Sequence, residues 1–163
     1  MVDKSKQGKR NRTAGHDFER EMAQKFRRWY PDARRGLQYQ DGKHCPDIVG
    51  TDFWIECKHR KGMTPWQANA CWIKMPGPKK KILIYRIRSS RHIRVVLNND
   101  LWFSLAGGII GSPDIVLRLR EILPNSEIYD EAIEVDWSVF ERAMDHWKGV
   151  QGEAGQSEKV PVA

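Results

Sequence analysis

Pro46-Asp47-Ile48-Val49-Gly50-Thr51-Asp52-Phe53-Trp54-Ile55-Glu56-Cys57-Lys58 is the stretch whose reading decides the fold. Apolar runs at 48–49 and 53–55 flank Gly50-Thr51-Asp52, the pattern of two short strands joined by a tight turn. With Thr51 and Asp52 as a two-residue loop, Gly50 pairs with Phe53 and Asp47 falls opposite Glu56. Opposed residues of an antiparallel ladder stand about 5 Å apart at Cβ and point to one face. Lys58, two residues past Glu56, shares that face. The hairpin therefore presents two carboxylates and an ammonium together, with Ile48, Phe53, Ile55 and Cys57 on the opposite, core-facing side. A slip of one residue would separate Asp47 from Glu56, so the reading rests on the turn.

Upstream, Thr13 can cap a helix running to about Trp29, where Pro31 stops it. Ala14, Phe18, Met22, Phe26 and Trp29 form its apolar stripe at helical spacing. Glu19 and Glu21 lie on the two borders of that stripe, each about 80° from its centre, and periodicity does not choose between them. Residues 1–12 hold Lys4, Lys6, Lys9, Arg10 and Arg12 without an apolar anchor. They read as a flexible basic arm touching phosphates irrespective of base sequence. Ala33 to Gln40 is the expected first strand, turned by Asp41-Gly42 into the hairpin. Arg34, Arg35 and Lys43 would then lie near the active face as phosphate contacts, and Arg60 and Lys61 continue that basic surface.

Downstream, Thr64 as N-cap and Pro65 at the first helical position announce a second helix bearing Trp66, Gln67, Ala70 and Cys71. Pro76-Gly77-Pro78 bounds it. Residues 82–87 and 92–97 are two further strands around a Ser89-Ser90 turn, giving a mixed sheet of about five. Asn98-Asn99-Asp100 caps a short apolar helix through Trp102 and Leu105, and Gly107-Gly108 and Gly111 form a loop. Another helix starts at Ser112-Pro113 with Ile115, Leu119 and Ile122 on one face. The last starts at Asp136 or Ser138, carries Trp137, Phe140, Met144 and Trp147 as core or dimer packing, and ends at Gly149. From Val150 the composition predicts disorder. The expectation is an α/β domain: a central mixed sheet flanked by helices (core 13–97), a helical C-terminal extension (98–149) and a tail (150–163).

At 163 residues and 40% hydrophobic, the chain suits one domain with a single core. No apolar run approaches the roughly 20 residues that span a bilayer, and Met1 to Arg12 lacks the apolar segment of a secretory signal. Cys45, Cys57 and Cys71 form no CxxC pair, which fits reduced thiols in a cytoplasmic protein. Charge is segregated: residues 1–97 carry 23 Lys and Arg against 9 Asp and Glu, whereas residues 98–163 carry 5 against 12. A basic half of this kind is the footprint of a phosphate-backbone binder. There is no P-loop, because Gly107-Gly108 lacks the following Lys-Ser/Thr.

Pro46-Asp47, eight residues, then Glu56-Cys57-Lys58 resembles the PD-(D/E)xK signature of a large nuclease superfamily. Gly15-His16-Asp17-Phe18-Glu19-Arg20 is similar to the Gly-x-x-x-Glu-Arg that opens archaeal-type Holliday junction resolvases within it. The resemblance covers residues 13 to about 97. It implies a restriction-endonuclease-like core and metal-dependent hydrolysis of DNA phosphodiesters at branched DNA, by a homodimer. Asp47, Glu56, Lys58 and Glu19 would be the catalytic residues. Asp47, Glu56, the carbonyl of Cys57 and Glu19 would hold Mg²⁺ or Mn²⁺, oxygen donors suited to hard cations. Gln67 would be the polar residue that the following helix brings toward the site. Alternatives are a restriction- or repair-type endonuclease, a recombination exonuclease, or a non-catalytic DNA-binding module. A structural zinc site from His44, Cys45, Cys57 and His59 is a weaker rival, since His44 and Cys45 are adjacent and Cys57 alternates away from Glu56 and Lys58.

Overall fold

The computed structural model describes residues 4–37, 45–76, 80–106 and 132–157. Six strands lie side by side in chain order: β1 (Arg34–Arg35), β2 (Ile48–Val49), β3 (Trp54–Arg60), β4 (Lys81–Ile87), β5 (Ile93–Asn98) and β6 (Ala132–Asp136). Only β3 and β4 run parallel; the other four pairings are antiparallel. A parallel pair needs a crossover, and α2 (Pro65–Ile73) supplies it. Among the described residues the other helices are α1 (Lys4–Phe26), α3 (Asn99–Ala106) and α4 (Trp137–Ser157). The predicted α/β architecture, a mixed sheet flanked by helices, is the observed one.

Alternation along the strands sorts side chains between two unequal layers. Ile48, Ile55, Ile82, Ile84, Val95 and Leu97 face α1, α3 and α4 in the larger core, with Phe18, Met22, Phe26, Trp102 and Phe140 opposite them. Leu83, Tyr85 and Val96 face the other way, where Trp72 and Ala68 of α2 cover them in a smaller cluster. Trp137, Phe140 and Met144 of α4 are buried in the core with Phe26 and Trp29, and the rings of Trp137 and Phe140 lie 5.8 to 6.3 Å from those of Phe26 and Trp29. Of the two expected uses of that stripe, packing within the chain is the one realised.

Several boundaries differ from expectation, each for a local reason. The basic segment is helical from Lys4 onward, continuous with α1. Lys, Arg and Gln are good helix formers and no proline intervenes, so two glycines, each costing about 1 kcal/mol, do not interrupt it. Thr13 sits inside the helix with its hydroxyl returned to the Lys9 carbonyl at 3.1 Å, so it caps nothing. The first strand shrinks to Arg34–Arg35, and Gln38–Lys43 with the expected turn lie outside the described residues. The extension is not wholly helical: Ala132-Ile133-Glu134-Val135-Asp136 alternates and adds the sixth strand against β5. Helix α4 continues through Gly149 to Ser157, past the predicted stop. Residues 107–131, with the predicted Gly loop and the helix bearing Ile115, Leu119 and Ile122, lie outside the described residues, as do Gly77 and Pro78.

The other three caps behave as read. Thr64 Oγ1 accepts from the Gln67 N–H, Asn98 Oδ1 accepts from the Leu101 N–H, and Asp136 Oδ1 accepts from the Ser138 N–H.

The loop between β2 and β3 turns on Gly50, whose φ of 81° lies in the left-handed region. A Cβ there would also stand 2.3 Å from the Asp32 carbonyl oxygen. Gly50→Ala should therefore cost roughly 1–3 kcal/mol, read as a lowered midpoint in urea. Gly15 on α1 has nothing within 4 Å of its would-be Cβ, and Gly15→Ala should gain up to about 1 kcal/mol. Equal effects at the two positions would refute the loop geometry.

Candidate functional site

Ile48 faces Ile55 across β2 and β3, the register that opposes Asp47 to Glu56. Directly past that pair the strands part. The Asp47 N–H donates to the Ile55 carbonyl at 2.8 Å, and the Asp47 carboxylate accepts the Cys57 N–H at 2.7 Å. A side-chain oxygen thus occupies a position that a backbone carbonyl would hold in a continued ladder. From β1's side, the Gly36 N–H donates to the Asp47 carbonyl at 2.8 Å. Gly36 must be glycine for this approach, because a Cβ would lie 2.1 Å from the Pro46 oxygen. Asp47 is consequently pinned through its N–H, its carbonyl and its carboxylate, and only 5% exposed.

Glu56 and Lys58 project on the α2 side of β3, and Lys58 Nζ donates to Glu56 Oε2 at 2.7 Å. Burial lowers the Lys58 pKa, but the hydrogen bond and charge of Glu56, with Asp47, outweigh it, and the net shift is upward. Lys58 is therefore held as an ammonium. At Asp47, burial raises the pKa; the Cys57 N–H and Lys58 oppose it, while Glu19 and Glu56 reinforce it. Burial and the neighbouring carboxylates push the Cys57 thiol well up, so it stays neutral and packs in the core. His59 Nδ1 lies 3.1 Å from the Ala14 carbonyl on the α1 side, and His44 is outside the described residues.

Helix α1 delivers Glu19 to the same fork from the opposite sheet face. Glu19 is 8% exposed and paired with Arg35 Nε. Glu21 instead turns to Arg86, at 2.9 Å. The choice that periodicity left open falls to Glu19. Arg12 sits seven residues before Glu19, so it lies on nearly the same stripe about 10 Å along the helix axis. Lys9, Arg10 and Arg12 are exposed there, on a helix rather than a flexible arm. Arg34, Arg60 and Lys61 are exposed; Lys43 lies outside the described residues.

Two expected contacts take other partners. Arg35 is Glu19's counter-ion, a role with no local sequence signal, since 16 residues separate the two. Gln67 closes a capping box: its Oε1 accepts from the Thr64 N–H at 3.1 Å, and it is exposed at the start of α2 rather than directed at the site. A glutamine three residues after an N-cap threonine is the signature of that box.

Three carboxylates, Asp47, Glu56 and Glu19, therefore act on one partly buried locus against two cations, Lys58 and Arg35. Hard oxygen donors with excess negative charge fit a divalent cation of the Mg²⁺ class. Among the described residues, no three His, Cys, Asp or Glu side chains are already gathered to hold one.

The raised Asp47 pKa has a definite consequence for stability. The folded chain holds that proton more tightly than the unfolded chain. Stability is thus fullest below the ordinary aspartate pKa and declines as pH rises through the folded value. Asp47→Asn keeps an oxygen for the Cys57 N–H and removes the charge. In chelator it should unfold at a higher temperature than wild type at pH 7, and the advantage should vanish near pH 3. An unchanged or lowered midpoint at pH 7 would contradict the burial. Compared with known proteins, the chain matches no protein-family model, no curated protein and no solved structure.

Proposed function

We propose that the protein is a metal-dependent endodeoxyribonuclease that hydrolyses DNA phosphodiesters at the β2–β3 fork. The observation carrying this reading is the juxtaposition there of Asp47, Glu56 and Lys58, with Glu19 arriving from α1. Asp47 and Glu56, with the Cys57 carbonyl, would hold Mg²⁺ or Mn²⁺, and Glu19 would complete the set directly or through water. The chemistry such an ion supplies is neutralisation of phosphate charge and acidification of a water. Lys58, kept as an ammonium, sits where it can orient the attacking water and offset charge developing on the phosphate. Arg35 fixes the Glu19 carboxylate by its ion pair. Without cations, three carboxylates would repel a phosphodiester by several kcal/mol at low dielectric.

Substrate binding rests on the basic first 97 residues, with Arg10, Arg12, Arg34, Arg60 and Lys61 exposed. Among the described residues no helix is long and apolar enough to cross a membrane. The resemblance at Gly15–Arg20 carries the finer reading, a homodimer acting on four-way junctions. Such a dimer cannot use the Trp137–Met144 stripe, which is buried within the chain. A rival reading, a DNA-binding module without chemistry, draws on the lack of a pre-gathered three-donor cluster among the described residues.

Asp47→Asn, Glu56→Gln and Lys58→Ala should each lower cleavage by orders of magnitude while retaining DNA binding, and a chelator should do the same to wild type. Glu19→Gln should raise the metal concentration required, whereas Glu21→Gln should behave nearly as wild type. Cleavage of radiolabelled linear duplex and four-way-junction DNA is the measurement. Lys58→Ala cutting at the wild-type rate would remove the hairpin assignment. Binding without any cutting at any Mg²⁺ or Mn²⁺ concentration would favour the binding module.

A monomer by sedimentation at micromolar concentration, with equal cutting of junction and linear DNA, would leave the nuclease and remove the resolvase.

A further inference from the structure

Beside Lys58, on the same face of the sheet, lies a cavity that hydrolysis at the fork does not use. It holds about 380 Å³, within the usual range of small-ligand sites. Met63, Pro65 and Ile87 give it apolar walls, and Tyr85, Arg94 and Glu134 give it polar groups. Tyr85 is the register partner of Lys58 across β3 and β4, so this wall stands one strand spacing, about 5 Å, from the Lys58 strand. The cavity lies toward the carboxyl ends of the parallel pair, the end at which open sheets commonly hold ligands.

Its polar groups are arranged for recognition. The Tyr85 hydroxyl donates to Glu134 Oε2 at 2.9 Å, which fixes the carboxyl group. Glu134 is 6% exposed and lines the cavity. Arg94 is close enough for its charge to act on that carboxyl. His92, whose side chain is largely exposed, and Ser90 complete the rim. Apolar walls suit the two faces of a flat ring. A fixed acceptor oxygen beside a guanidinium suits an edge that offers an N–H donor next to a ring nitrogen or carbonyl acceptor. Every unpaired nucleobase has such an edge, through an exocyclic amino group in cytosine, adenine and guanine and through N3–H in thymine. The volume exceeds one base and leaves room for its sugar.

We propose that this cavity takes one nucleotide turned out of the DNA stack beside the scissile phosphodiester, and that Glu134 and Arg94 hold the edge of its base. The inference rests on reading the fork as a DNA-cleaving site, and it deepens that reading. A nucleotide that is already unpaired enters such a cavity without the cost of breaking a base pair, a few kcal/mol. Preference for branched or frayed DNA then follows from a single subunit.

The test uses the full chain in chelator, so that binding is read without cleavage. Titration with dCMP, dAMP, dGMP and dTMP is followed by amide resonances, and thermal unfolding checks each variant. The expected result is saturable binding of all four with shifts at Tyr85, Arg94 and Glu134, at least tenfold tighter than for 2-deoxyribose 5-phosphate, which has no base. Glu134→Leu removes the acceptor and should weaken all four nucleotides. Arg94→Ala is the second variant and should weaken them too. Binding no tighter than that of the base-free sugar phosphate, no saturable shifts, or folded Glu134→Leu and Arg94→Ala that both bind as wild type does would overturn the proposal. Cutting by wild type alongside any of those results leaves the nuclease and removes the cavity. Base-dependent binding by a wild type that cuts no DNA supports the nucleotide site and removes the nuclease.

Discussion

The constraint on which the rest depends is a carboxylate set into a β-ladder. Asp47 takes the Cys57 N–H where a main-chain carbonyl would otherwise accept it, and so holds β2 and β3 together at the point where they separate. An aspartate in that place costs free energy, because burial disfavours its charged form. The surroundings carry that cost through geometry. Gly36 lets β1 approach closely enough to bind the Asp47 carbonyl, and Gly50 lets the loop fold back against Asp32. Lys58 supplies a nearby positive charge.

The charge pattern around the fork is poorly explained by stability alone. Ion pairs drawn out of water gain little net free energy, and a third carboxylate among them is a loss. Strand positions of this kind are readily filled by apolar or neutral residues, which would fold at least as well. Conflict between local stability and the residues present is the mark of a site kept for another purpose. On the proposed reading, the Glu56–Lys58 and Glu19–Arg35 pairs keep reactive groups oriented.

Unequal covering of the two sheet faces makes room for this arrangement. Three helices bury one face under aromatic and aliphatic side chains, and that core carries the stability. Among the described residues the other face has the nine residues of α2 over it, and Glu56 and Lys58 stay partly exposed there, beside the cavity at Tyr85. Helix α1 joins the two roles. Phe18, Met22 and Phe26 anchor it in the core, Glu19 emerges at the fork, and Arg12 continues the same stripe outward. A rigid basic rail follows from one uninterrupted helix, where a tail would have been loose.

The chain's own pattern determined much of this. Alternation at 48–58 set which side chains are buried, and a tight loop through Gly50 set the register, so Asp47, Glu56 and Lys58 were legible as a group. These are local properties, decided by period and turn within a dozen residues. The caps at Thr64 and Asn98 and the strands at 82–87 and 92–97 were legible for the same reason. What tertiary structure decided was every pairing between distant segments. Glu19 prevailed over Glu21 because α1 lies on the sheet at one rotation, with Arg35 waiting 16 residues away and Arg86 taking the other glutamate. Ala132–Asp136 became a strand because β5 had a free edge, although five residues ahead of a helix are a weak signal by themselves. Glu134 met Tyr85 across 49 residues for the same reason. Periodicity states which face of an element is apolar; only packing states what that face, or the polar one behind it, will meet.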